Sequence, residues 1–186
     1  MAYFPAFIKL DNLKVLIVGG GGVASDKLLH MLDFTRDICV IAPWVSAQMQ
    51  EMIEKNGLSY EDRVYRKGDI NGFGIVIVAV DDMGVQRSIY DEAKIKGVLC
   101  NCVDSVEYCD FIFPSYIKNG DLTIAVSTSG ASPAVAKYLR KFLEKVIPNS
   151  IAEFLEEMKI LRTTIPKGKN RMKFLDEKAK NYFDDK

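Results

Sequence analysis

Three groups of residues have types and spacings that suit chemistry. The first is Gly19, Gly20, Gly21, Gly22, Val23 and Ala24, directly after the apolar run Val15–Val18. Gly19, Gly21 and Ala24 fit the pattern G-x-G-x-x-A. In that pattern the first glycine makes a tight turn, the second lets backbone approach a pyrophosphate, and the small third residue packs helix on strand. A strand that stops on glycine and restarts as a helix also offers an anion unpaired N–H groups and a positive dipole end. Gly19, Gly21, Gly22 and Val23 are therefore candidate dinucleotide-binding residues. A glycine-rich turn without a ligand would read the same way.

The second group is Asp81 and Asp82, which follow the apolar run Ile75–Val80. Asp82 suits the cap of a following helix, and Asp81 suits the edge of a cofactor crevice. The third is Asn101–Asp104, at the end of the apolar stretch that starts at Gly97. Asp104 offers a carboxylate that can take a proton, although a turn or capping aspartate reads alike. His30, the single histidine, falls on the first helix, away from these strand ends, and reads as structural.

These groups need elements to hold them. The pattern predicts a strand over 13–18, a helix over 21–34, a strand over 38–42 and a helix from Ser46 to Asn56, stopped by Gly57. A short strand near 58–63, strands over 75–80 and 97–103, and a helix over 83–95 follow. Val23, Leu28, Leu29 and Leu32 are the expected apolar face of the first helix. Continuous apolar strands alternating with helices imply a parallel sheet covered on both faces, with ligands at the carboxyl strand ends. Gly19–Val23, Ala42–Trp44, Val80–Asp82 and Asn101–Asp104 would then converge. Beyond Asp104 the texture changes. Residues 111–117 and 122–127 around Asn119-Gly120 read as a hairpin. Ser132-Pro133 starts a helix to about Val146, and helices over 150–164 and 171–184 follow.

Composition narrows the classes. The chain has 186 residues, of which 48% are hydrophobic. No apolar run reaches the roughly 18 residues of a membrane span, and the N-terminus lacks the basic and apolar regions of a signal peptide. A soluble cytoplasmic protein is expected. Residues 1–117 carry 11 basic and 16 acidic side chains, and residues 118–186 carry 14 and 9. The cationic last third suits an anionic ligand or a plain solvated surface. With no basic stripe before residue 118 and no helix-turn-helix pattern, no nucleic-acid partner is expected. Cys39, Cys100, Cys102 and Cys109 lack a zinc spacing and read as buried reduced thiols, so no metal site is expected.

The second strand bears on the choice of nucleotide. Dinucleotide folds often place an acid on the ribose about 20 residues beyond the glycines, but this strand ends Ile41, Ala42, Pro43, Trp44. No Lys or Arg occurs between Asp37 and Glu54 either, so a 2′-phosphate would lack a local counter-ion. NAD is expected, held by backbone around Ala42, Pro43 and Trp44 or by Ser46, with Trp44 flanking the adenine or merely packing at the surface.

In this order and spacing, Gly19–Ala24, Ala79–Asp82, Asn101–Asp104, Phe111–Ser115 and Ala125–Pro133 resemble the precorrin-2 dehydrogenases of sirohaem synthesis, including the N-terminal modules of sirohaem synthases. The resemblance covers residues 3–165. It implies a Rossmann-type α/β domain over 1–110, a β-hairpin and helix dimerisation segment over 111–147, and a small helical domain over 148–186, assembled as a homodimer. It implies NAD-dependent oxidation of precorrin-2 to sirohydrochlorin, to which some relatives add ferrous insertion. Asp104 matches the aspartate usually assigned to catalysis. The substrate in this family is a polycarboxylate tetrapyrrole. Ser127, Thr128, Lys137 and Arg140 are then candidate substrate anchors, with Lys141, Lys167, Lys169 and Arg171 as further cations. Two departures stand out: Asp26, where relatives often carry a base, and Thr128, where some carry serine. The competing readings are a non-catalytic NAD(H)-sensing regulator and an oxidoreductase for a small neutral substrate.

Overall fold

The computed structural model describes residues 3–184, which divide into two compact units at residues 112 and 113. The first unit is a five-stranded parallel sheet. Its strands are β1 (Val15–Val18), β2 (Ile38–Ala42), β3 (Ser59–Asp62), β4 (Ile75–Val78) and β5 (Leu99–Cys102), in the order β3-β2-β1-β4-β5. Its helices are α1 (Gly22–Leu32), α2 (Ala47–Asn56) and α3 (Met83–Lys96). The chain winds outward from β1 through β2 to β3, then returns to the other side of β1 as β4. The strand order therefore reverses between β1 and β4, where α/β sheets open a crevice at their carboxyl ends.

Side-chain alternation explains why β1 and β4 are apolar at every position. Leu16 and Val18 pack with Val76, Val78, Ile89 and Ala93 on the α3 side. Val15 and Ile17 point to the opposite face, and neither is accessible to solvent. Each such side chain contributes about 1.5–3 kcal/mol on burial. Helix ends follow capping chemistry. The Ser46 hydroxyl accepts from Met49 N–H at the start of α2, and Asp82 accepts from Gly84 and Val85 N–H at the start of α3. Gly57 and Gly97 end these helices in the left-handed region.

The buried face of α1 keeps Leu28 and Leu32 of the expected set but not Val23 and Leu29. Val23 and Leu29 are each 49% exposed, whereas Ala24, Ser25, Leu28, Met31 and Leu32 are buried. Hydrophobicity alone misassigned the face because Val23 sits in the first turn, at the open end of the sheet. The small Ser25 takes an inward position by satisfying its hydroxyl locally.

In the second unit, β6 (Ser115–Asn119) and β7 (Leu122–Val126) form an antiparallel hairpin, followed by α4 (Pro133–Val146), α5 (Ile151–Thr164) and α6 (Lys169–Asp184). The turn centres on Gly120 and Asp121, one residue later than expected, because Asn119 still pairs with Leu122. Gly120 supplies the positive φ of 57° that a tight hairpin requires. Residues 111–114, read as strand from sequence, precede β6.

Candidate active site

The four glycines have divided roles. Gly19 turns the chain off β1 with φ 121°, and a Cβ there would lie 2.2 Å from the Ala79 carbonyl oxygen. A Cβ on Gly20 would lie 1.9 Å from the Trp44 carbonyl oxygen. These two residues are glycine because neighbouring backbone occupies the space. Gly21 and Gly22 face open space: a Cβ would meet only the Trp44 ring at 3.7 Å, or nothing within 4 Å.

The loop is stitched to the turn after β2. Ser46 N–H donates to the Gly20 carbonyl at 2.8 Å. The buried Ser25 hydroxyl donates to the Gly21 carbonyl at 2.9 Å and sits 2.8 Å from the Ser46 hydroxyl. Ser46 Oγ is thus engaged with Ser25 and with the α2 cap rather than turned to a ribose. Gly21 is the N-cap of α1 and brings no side-chain cap. The first N–H groups of a helix have no partner within it. An open, uncapped helix start flanked by Cβ-free residues fits a dinucleotide pyrophosphate. Beside it, Pro43 and Trp44 are exposed. Ala42 is buried, and its carbonyl accepts from the Tyr60 hydroxyl at 3.1 Å.

Next to the loop, at the ends of β4 and β5, lies a crevice of about 200 Å³ lined by Val23, Asp81, Asp104, Met83, Gln86 and Ser105, among others. Asp81 and Asp104 are both exposed there. Asp104 adopts φ 64°, a left-handed conformation that aspartate tolerates better than most residues. Asn101 is buried, and its amide donates to the Phe111 carbonyl at 2.8 Å, which holds the segment after β5 in place.

Lys27 of α1 is half-buried and interacts electrostatically with Asp26, Asp104 and Cys109. Burial holds its ammonium below the usual lysine range, against the upward pull of those groups. Burial, together with the Lys27 charge, likewise holds the His30 imidazole below its usual value. Cys100 and Cys102 are buried with their sulfurs 3.7 Å apart, and all four cysteines are free thiols. Among the described residues, no group of three or more His, Cys, Asp or Glu is arranged to hold a metal ion.

Gly19, Gly21, Gly22, Val23, Ala42, Pro43, Trp44, Asp81 and Asp104 all belong to the first unit, while Ser127, Thr128, Lys137 and Arg140 belong to the second. Ser127 is exposed, and its hydroxyl accepts from Ser129 N–H. Thr128 Oγ1 accepts from Ser132 N–H at 3.1 Å and donates to the Ser132 carbonyl at 3.0 Å, closing the turn that starts α4. Lys137 is exposed, and Arg140 pairs with Glu144 one turn on.

Residues 6–115 match the family model described as putative NAD(P)-binding. The chain belongs to this family. Residues 119–145 match a second model, the sirohaem biosynthesis protein central region. A siroheme synthase of Methylococcus capsulatus is 36% identical over 178 residues, covering 94% of this chain and 38% of that protein. A siroheme synthase of Pseudoalteromonas atlantica is 35% identical over 152 residues, covering 82% and 33% respectively. The chain thus spans about a third of the length of these curated relatives. The solved structure of SirC, precorrin-2 dehydrogenase, superposes with a TM-score of 0.82 at 25% identity, covering 97% of this chain and 91% of that one. The family resemblance read from the five motifs rests on these matches as well. Among the described residues no helix is long and apolar enough to cross a membrane.

Within the family frame, four features escaped the sequence reading. Gly20 fills a variable position of the fingerprint and is dictated by a contact distant in sequence. Ser25 reads as an ordinary helix residue until its i−4 carbonyl is in view. Lys27 has no motif of its own. Asp62 lies beside Ala42 through the β2–β3 pairing, so an acid reaches this edge from the neighbouring strand. Arg63 follows it, held by Glu61 and Asp69.

Proposed function

We propose that this chain oxidises precorrin-2 to sirohydrochlorin with NAD as hydride acceptor, in the synthesis of sirohaem. The observation that carries the reading is the pairing of an open, uncapped glycine helix start with a carboxylate crevice at the reversal of strand order, in a chain that matches both family models. The likeness to SirC over nearly the whole chain supports the same reading.

When bound, the nicotinamide supplies a hydride acceptor at C4. The oxidation removes a hydride and a proton from the reduced macrocycle, and the products are sirohydrochlorin, NADH and H⁺. The α1 start binds the pyrophosphate through backbone N–H groups. Asp104 accepts the proton at the crevice. Lys27 is near enough to interact electrostatically with Asp104. Ser127, Thr128, Lys137 and Arg140 serve the substrate carboxylates, for which the cationic last third of the chain is suited.

NAD is favoured over NADP by two features of the sheet edge. Asp62 stands beside Ala42, where it would repel a 2′-phosphate, and Arg63 is already committed to two carboxylates. A homodimer is supported by α4, whose stripe of Val135, Tyr138, Leu139, Phe142 and Val146 is exposed. A reducing, cytoplasmic setting is supported by the four free thiols. Ferrous insertion would take iron as substrate, with the macrocycle supplying the ligands and Asp104 accepting pyrrole protons.

The test is the Asp104→Ala variant with NAD and with NADP. The expected result is wild-type NADH binding and loss of most sirohydrochlorin formation, with NAD the better oxidant for the wild type. Near-wild-type turnover by the variant would overturn the role of Asp104. Scattering in solution that finds a monomer would overturn the dimer.

A further inference from the structure

Gln86 spans the crevice wall, and its side chain is committed at both ends. It sits in the first turn of α3 and is only 4% exposed. Its amide nitrogen donates to the Val80 carbonyl at 2.7 Å, just beyond β4. Its amide oxygen accepts from the Ser105 hydroxyl at 2.5 Å, just beyond β5. The orientation follows from chemistry: the Val80 carbonyl can only accept, so the NH₂ must face it, which leaves the oxygen for the hydroxyl. Ser105 is also buried, and its own carbonyl accepts from Tyr108 N–H and from the Cys109 thiol. Between Val103, tied to the Val78 carbonyl, and Ser105 stands Asp104 in its left-handed conformation. One amide therefore bridges the Val80–Asp81 edge and the Asp104 turn, the two walls of the crevice, beside the backbone bonds that pair β4 with β5.

We propose that Gln86 is a positioning residue for the dehydrogenation, acting through Ser105 to hold the Asp104 turn across the crevice from the Val80–Asp81 edge. The proposal rests on the dehydrogenase reading above. Its chemistry is specific to an amide. Leucine would remove the donor to the Val80 carbonyl and leave the buried Ser105 hydroxyl only the weak acceptor Met83 Sδ at 3.5 Å. Glutamate would set a carboxylate against the Val80 carbonyl unless protonated, and a protonated carboxyl restores one donor and one acceptor in the same places.

The experiment compares wild type with Gln86→Leu, Gln86→Glu and Ser105→Ala. It measures kcat and KM for precorrin-2, NADH affinity by fluorescence, and amide hydrogen exchange over residues 103–109. In Gln86→Leu and Ser105→Ala, kcat is expected to fall about 10- to 100-fold, the size of effect that a small misplacement of a catalytic group produces. KM and NADH affinity should stay within about threefold of wild type, as expected when only positioning in the transition state is lost. Gln86→Glu should be impaired above neutral pH and recover as its buried carboxyl is protonated, a limb that the wild-type profile lacks. Protection of residues 103–109 should drop in the Leu variant while β1 and β2 keep theirs. Unchanged kcat in both Gln86→Leu and Ser105→Ala, or a Gln86→Glu pH profile parallel to wild type, would overturn the proposal. Should the Leu variant fail to fold, Ser105→Ala and the pH profile of Gln86→Glu decide. A wild type inactive on precorrin-2 refutes the dehydrogenase reading instead, and the exchange measurement still reports whether Gln86 holds the turn.

Discussion

Substituting the glycines one at a time separates folding from binding. In Gly20→Ala the new methyl would lie 1.9 Å from the Trp44 carbonyl oxygen and 2.9 Å from its carbon. Both are backbone atoms, so relief requires moving either the glycine loop or the turn after β2. The Ser46 N–H bond to the Gly20 carbonyl resists that movement. Overpacking of this kind costs about 1–3 kcal/mol, and a weakened hydrogen bond adds about 1 kcal/mol. A loss of about 2–4 kcal/mol is expected. In Gly21→Ala the methyl meets only the Trp44 ring, at 3.7 Å, and φ is −77°, so the fold should lose less than about 1 kcal/mol. The same methyl stands at the proposed pyrophosphate site, and on that reading NADH affinity should fall at least tenfold, about 1.4 kcal/mol. Urea denaturation followed by circular dichroism reads the first effect, and NADH fluorescence titration reads the second. Equal stability losses in the two variants, or NADH binding by Gly21→Ala as tight as wild type, would refute this division of roles between Gly20 and Gly21.

Three further outcomes are expected. Asp69 is held below the usual carboxylate range, chiefly by its hydrogen bond from Arg63. Its contribution is therefore complete above the unfolded value of about 4 and disappears as pH falls through the lower folded value. Asp69→Asn should cost about 1–3 kcal/mol near neutrality and flatten that acid limb in urea midpoints measured against pH. Asp82→Ala, which removes the acceptor for Gly84 and Val85 N–H, should lose about 0.5–2 kcal/mol. Asp81→Ala should leave thermal stability nearly unchanged, and calorimetry separates the two. Cys100 and Cys102, 0% and 1% exposed, should react with a thiol reagent only after unfolding, as peptide mapping of labelled sites would report.

What was legible in the sequence is what local chemistry writes there. Apolar runs announced the sheet, and Ser46, Asp82 and Ser132 announced helix starts because a capping side chain acts within three residues of itself. The glycine fingerprint announced the crevice because it combines a turn, a helix start and a close approach in one segment. Contacts between distant segments left no such trace. Gly20 is fixed by Trp44, Asp62 reaches the edge through strand pairing, and Gln86 joins Val80 to Ser105. Each of these depends on register, which residue type alone does not encode. The α1 face was misread at Val23 and Leu29 because burial there follows the end of the sheet and the Ser25 hydroxyl bond.

The proposed function has this chain itself carry out the two-electron oxidation, with the cofactor on the glycine loop and the proton taken at Asp104. The direct measurement is an anaerobic incubation of the purified chain with precorrin-2 and NAD, following NADH and the sirohydrochlorin spectrum together. The two should appear in equal amounts and at the same rate, and both should be lost in Asp104→Ala while NADH binding persists. Absence of either product with wild-type chain that binds NADH would contradict it.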